Sequence, residues 1–78
     1  MKLELYSFET CPFCRKVFRF LETRPDLKIE IKDIHKNPEY REELARINNG
    51  ITQVPCLVID GKPMLESDDI IEFLKGLS

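Results

Sequence analysis

Thr10-Cys11-Pro12-Phe13-Cys14 sets two cysteines two residues apart, and the reading of that stretch decides the fold. Only one other cysteine, Cys56, occurs in the chain. The pair is therefore a metal clip, a structural disulfide or a redox couple. An odd count with one close-spaced pair does not make a disulfide framework. A zinc site would need two further ligands. Only Cys56 and His35 offer themselves, 21 residues apart, without a second close-spaced pair. Redox chemistry is the reading that uses the residues present.

Working outward, Leu3 to Tyr6 is a β-prone run followed by the polar break Ser7 to Thr10, which predicts a strand over 2–6. Past the cysteines, Val17, Phe18 and Leu21 keep helical spacing, with Arg15, Lys16, Arg19 and Glu22 on the other face. Cys11 then stands as N-cap, Pro12 is the first helical residue, and Pro25 closes the segment. The basic residues of this helix read as a solvated face with some benefit to a nearby anion.

Leu27, Ile29 and Ile31 alternate with Lys28, Glu30 and Lys32, which predicts a second strand over 27–32. Asn37-Pro38-Glu39 opens a helix whose face is lined by Tyr40, Leu44 and Ile47 and which stops at Asn48-Asn49-Gly50. Cys56 to Ile59 is a continuous apolar run, Asp60-Gly61 a hairpin turn, and Pro63 to Leu65 a return strand at a sheet edge. Ser67 is expected to cap a terminal helix that carries Asp68 and Asp69 in its first turn.

The order is βαβαββα. A first β-α-β unit implies a right-handed crossover between parallel strands, and the final hairpin adds two antiparallel strands. The expected architecture is α/β, a mixed four-stranded sheet with three helices in a single domain over 1–78.

A thiolate, not a thiol, is the reactive form of cysteine. As N-cap, the Cys11 sulfur faces the unpaired N–H groups of the first turn and the positive end of the helix dipole, which favour an anion. Cys11 is the expected nucleophile. Cys14, one turn on and beside Val17 and Phe18, should be more buried and less acidic, a resolving thiol within reach of Cys11. His35 reads as a solvated loop residue without a role, and Cys56 as a small buried core residue.

The remaining composition excludes several partners. A net charge of -2 with basic and acidic residues interspersed leaves no patch for nucleic acid or anionic lipid. The start, MKLELYSFE, lacks the apolar segment of a signal peptide, and no apolar run is long enough to span a bilayer. A cytoplasmic protein is expected.

With these motifs together, YSFETCPFC, QVPCLVIDG and LESDDIIEFL, the chain resembles the glutaredoxin family of the thioredoxin fold over essentially its whole length. The resemblance implies a cis peptide bond before Pro55. It also implies that the main chain of Val54 pairs with the cysteinyl part of glutathione, in the manner of an added strand. Phe13, Gln53 and Glu66 belong to the implied glutathione site. At the N-terminus of the last helix, Ser67 suits the γ-glutamyl carboxylate and Asp68 its ammonium. Phe8 stands where glutaredoxins often have Lys, and Phe13 where they usually have Tyr. Gln53-Val54-Pro55 and Glu66-Ser67 resemble the glutathione-binding motifs of the N-terminal domain of glutathione transferases. A transferase would need a second, helical domain, for which 78 residues leave no room.

The resemblance implies a dithiol oxidoreductase that reduces protein disulfides or glutathione mixed disulfides, with glutathione as reductant and substrate and no metal. Expected partners are glutathione and disulfide-containing or glutathionylated proteins, met as a monomer. Two alternatives stand beside it. One is a module in which two copies share an iron–sulfur cluster through Cys11 and glutathione, against which Pro12 and Cys14 argue. The other is an electron donor driven by a thioredoxin reductase, for which Phe8 leaves room.

Overall fold

The computed structural model describes residues 1–77. Its elements are β1 (Leu3–Ser7), α1 (Pro12–Glu22), β2 (Glu30–Asp33), α2 (Pro38–Ile47), β3 (Cys56–Ile59), β4 (Lys62–Met64) and α3 (Ser67–Lys75). The sheet order is β2-β1-β3-β4, with β1 and β2 parallel and the other two pairs antiparallel. The expected element order and mixed sheet are both present. Pro63 lies in β4, at the sheet margin, where a residue without an N–H leaves no ladder bond unmade inside the sheet.

β1 is buried along its whole length because both faces of the sheet are covered. Leu3 and Leu5 point to one face and meet Leu57 of β3, Val17 of α1, and Ile70 and Leu74 of α3. Tyr6 points to the other and meets Cys56, Val58, Ile34 and Leu44 of α2. Full burial of a Leu, Ile or Val side chain is worth about 1.5 to 3 kcal/mol each, so these two clusters hold the helices to the sheet.

The turn at Asp60-Gly61 has φ of 48° and 87°, the left-handed pair that a two-residue hairpin needs. Asp60 also ties down the chain start. Its N–H donates to the Lys2 carbonyl at 2.9 Å, and its Oδ1 accepts the Lys2 N–H at 2.7 Å.

Five expectations need correction. β1 runs over 3–7 instead of 2–6, and β4 over 62–64 instead of 63–65, shifts of one residue set by the pairing of Leu3 with Ile59 and of Ile59 with Lys62. β2 is shorter than 27–32. The Leu27 N–H donates to the Arg24 carbonyl in a turn after α1, and the ladder begins only where Glu30 meets Glu4. The alternation within it also fails: Ile31 is 46% exposed, whereas Lys32 is 9% exposed. Ile31 lies beside Leu5 at the margin of the apolar face. Lys32 lies beside Tyr6 and is drawn under α2 by Glu4 and Glu43 at 2.6 and 3.0 Å. Finally, Ser67 is the first residue of α3, not its cap. The N-cap is Glu66, with φ 73° and no side-chain cap bond.

Candidate active site

The Cys11 backbone is extended, with φ -75° and ψ 120°, and Pro12 fixes the first helical φ after it. This makes Cys11 the N-cap of α1. Its Sγ accepts the Cys14 N–H at 3.4 Å, one of the amides that a helix start leaves unpaired. The residue is 6% exposed, so that only a small part of it meets solvent.

Cys14 is fully buried one turn further on. Burial pushes its thiol up to about 12; an N–H contact from the Phe8 backbone works against this, and contact with Cys11 adds to it. At neutral pH Cys14 is therefore held as a thiol. All three cysteines are unbridged. Cys56 is fully buried in the α2-side cluster, where burial pushes its thiol up to about 11.

A cleft of about 160 Å³ is lined by Phe13, which stands between the two cysteines in sequence, and by Lys16, Gln53, Val54, Pro55, Glu66, Ser67 and Asp68. Every residue assigned from sequence to glutathione binding is in that lining. Phe13 supplies a largely exposed apolar wall, 63% open to solvent. The Val54-Pro55 bond is cis, as the resemblance implied. Among the described residues no hydrogen bond reaches the Val54 amide or carbonyl, so both are available to an extended peptide.

Across the cleft, the chain enters α3 through Glu66 in the left-handed region, a conformation that costs a non-glycine residue on the order of 1 kcal/mol. The consequence is useful to a ligand. With no side chain capping α3, its first-turn N–H groups remain directed outward, and Ser67 is buried at their base.

Lys16 is the residue that sequence reasoning missed. By pattern it belongs with Arg15 and Arg19 to a solvated face with some benefit to a nearby anion. In the structure its Nζ is paired with the Asp68 carboxylate across the cleft. No spacing signal could have shown this, since the partner is 52 positions away and is brought near by the packing of α1 on α3. Arg15 Nε donates to the Glu9 carbonyl at 3.2 Å, and Lys36 pairs with Glu9 at 2.5 Å, which places both cations around the loop before Cys11. His35 is exposed, as expected of a loop residue, yet it stacks on Phe8 with ring centroids 4.1 Å apart and planes 13° from parallel. Phe8 is half-buried between that ring and the α2-side cluster. Among the described residues no three His, Cys, Asp or Glu side chains are grouped to hold a metal, and no helix is long and apolar enough to cross a membrane.

The glutaredoxin family model matches residues 3–64. A probable glutaredoxin of Synechocystis sp. is 33% identical over 69 residues, covering 88% of this chain and 77% of that one. Prostaglandin E synthase 2 of Danio rerio is 37% identical over 71 residues, covering 91% of this chain but 18% of that protein. Among solved structures, glutathione transferase Omega 3C from Trametes versicolor superposes with a TM-score of 0.76 at 28% identity, covering 96% of this chain and 33% of that one. The chain thus spans under a fifth of the synthase and a third of the transferase. The architecture itself is thioredoxin-like.

Proposed function

The chain belongs to the glutaredoxin family, with thiol–disulfide oxidoreductase activity, and from that premise we propose a dithiol glutaredoxin that draws its electrons from glutathione. The observation that carries the reading is the Cys11 sulfur at the start of α1, the helix whose Phe13 walls a cleft that joins the free main chain of Val54 to the uncapped start of α3.

In the proposed cycle the Cys11 thiolate attacks the glutathione sulfur of a mixed disulfide. A Cys11–glutathione disulfide forms, and the released client thiolate takes a proton from solvent. A second glutathione thiolate then attacks the glutathione sulfur of that intermediate, producing glutathione disulfide and restoring the Cys11 thiolate. Alternatively Cys14 attacks the Cys11 sulfur, expels glutathione and leaves a Cys11–Cys14 disulfide. Burial disfavours the Cys14 thiolate that this second route needs, which works against it. Clients are disulfide-containing or glutathionylated proteins, met by a monomer in a reducing compartment such as the cytoplasm, where free thiols persist.

The test is reduction of a glutathione mixed disulfide coupled to glutathione reductase, set beside the same assay driven by thioredoxin reductase. Cys11→Ser is expected to abolish turnover in both. Cys14→Ser is expected to retain at least about half of the glutathione-driven rate, since only Cys11 occupies the helix start. Equal loss in the two variants would show an obligatory dithiol cycle, and turnover with thioredoxin reductase alone would replace glutathione as the electron source.

A further inference from the structure

We propose that Lys16 is a specificity-determining residue, which forms with Asp68 a charge-paired clamp for a ligand bearing a carboxylate and an ammonium on one carbon. The inference rests on the reading of the cleft as a glutathione site and names how its γ-glutamyl end is recognised.

The charges of the cleft lead to it. Its lining holds two acids, Glu66 and Asp68, and one cation, Lys16. A ligand whose ammonium meets Asp68 brings its own carboxylate within a few ångströms of both acids. Like charges so placed repel, and the α3 amides alone must outweigh two carboxylates. Lys16 removes that conflict. Standing across the cleft from α3, its ammonium can meet the ligand carboxylate on the side that the amides do not reach.

Without ligand, Lys16 and Asp68 satisfy one another. Their side chains are 53% and 78% exposed, and a pair so open to water contributes little to stability. The contact therefore opens readily. A zwitterionic head inserted between the two replaces one ion pair by two, Asp68 with the ligand ammonium and Lys16 with the ligand carboxylate. An anion or a cation alone gains one contact and loses one, so the pair favours ligands that carry both charges.

Arg15 and Arg19 do not share this role. With Pro12, Phe13 and Lys16 they line a separate open groove along α1, and neither lines the cleft. Arg19 thus serves as the control for a general electrostatic effect.

The experiment is calorimetric titration of the reduced protein with S-methylglutathione, which cannot enter thiol exchange. The same titration is repeated with its analogue lacking the glutamyl α-carboxylate. Lys16→Ala is expected to weaken the first ligand about five- to tenfold, the range for one charge-assisted contact in a half-open site. Lys16→Glu should weaken it further, and Arg19→Ala by less than about twofold. The decarboxylated analogue should bind the native protein weakly and lose nothing more in Lys16→Ala. Unchanged or tighter binding of S-methylglutathione by Lys16→Ala would overturn the clamp, since the lysine then only screens Asp68. An equal loss for the two ligands, or for Arg19→Ala, would overturn it as well. Should the native protein neither bind S-methylglutathione nor reduce a glutathione mixed disulfide, the glutathione reading itself fails and the clamp with it. If it does either, insensitivity to Lys16 removes the clamp alone.

Discussion

The two faces of the sheet are built on different physics. Against α1 and α3 the contact is apolar: Leu3, Leu5, Val17, Leu57, Ile70 and Leu74 are buried together with no charge among them. Against α2, Tyr6, Leu44 and Val58 share the interior with Glu4 and Lys32, 8% and 9% exposed. Lys32 is the centre of that polar group. It pairs with Glu4 and Glu43 and lies 5.3 Å from the centres of the Tyr6 and Tyr40 rings, while the Tyr6 hydroxyl donates to Glu43 at 3.0 Å. The apolar face carries the chemistry, since the starts of α1 and α3 both open on the cleft. Of the proposed site residues, Val54 alone packs against the α2-side cluster. What differs is how each face fixes the strand register: the first by any side chains of the right size, the second by one particular set of charges.

The largest effects should come from the ionic face. Burial opposes the Lys32 charge, but hydrogen bonds with Glu4 and then Glu43 outweigh it and hold the ammonium above its ordinary range. Lys32→Ala strands two carboxylates, of which Glu4 is buried, and is expected to cost about 3 to 5 kcal/mol in urea unfolding. Leu57→Ala, on the other face, should cost about 2 to 5 kcal/mol by leaving a cavity. The decisive variant is Lys32→Met with Glu4→Leu and Glu43→Leu. Its stability should return to within about 1 kcal/mol of the native protein, because removing a whole buried ion set is far cheaper than breaking it. A loss under about 1 kcal/mol for Lys32→Ala alone would mean that water already solvates the set, and the contrast between the faces would dissolve.

Much of this molecule was legible in its sequence, and the illegible part was ionic. Pro12 after Cys11, Asn37-Pro38 and Asp60-Gly61 each act locally, through a fixed φ, a side-chain cap or a left-handed turn, so short spacing was enough to place α1, α2 and the β3–β4 hairpin. The cleft could be read because Gln53, Val54, Pro55, Glu66, Ser67 and Asp68 fall in two short motifs. The reading failed where a residue's environment is set by distant partners. Lys32 is inward only because Glu4 and Glu43, 28 and 11 positions away, are inward too. Lys16 reaches the cleft only because Asp68 does. Ser67 lost its cap role because Glu66 takes a left-handed conformation that no preference of glutamate announces.

Titration should sharpen the comparison with a smaller effect. Cys14 and Cys56 rise from 9.0 to about 12 and about 11, and Tyr6 from 10.0 to about 12, chiefly through burial. Unfolded, each group releases its proton at the lower value, while the folded protein retains it. Stability is thus fully present below pH about 9 and falls as pH rises, by up to about 1.4 kcal/mol per pH unit for each thiol until its folded value is reached. Cys56→Ala should flatten this loss between about pH 9 and 11, and Cys14→Ala should flatten it over a wider range. On the acid side the α2 face responds through Glu43. Glu43 is held below the usual carboxylate range by Lys32 first and by Tyr6 next, so its contribution is lost as pH falls through that range. Urea midpoints from pH 3 to 11 would record both limbs, and a flat profile above pH 9 would contradict the buried thiols.

The smallest expected effect is the most pointed, because it concerns two neighbours in one strand. By pattern, Ile31 should be a core residue and Lys32 its solvated neighbour. In the structure Ile31 is 46% exposed at the margin of the apolar face, while Lys32 is buried. Ile31→Thr keeps a β-branched side chain in the strand and gives up apolar area that is already about half in water, so it should cost at most about 1 kcal/mol. A one-residue slip of β2 would reverse the assignment, placing Ile31 inward and Lys32 in solvent, and would break the contacts of Lys32 with both glutamates. The pair of variants therefore reads the register directly. If Lys32→Ala costs several kcal/mol and Ile31→Thr little, β2 is pinned by charge. If the order is the reverse, the strand pairs one residue out of step, and the apolar alternation, not the ion set, determines its place.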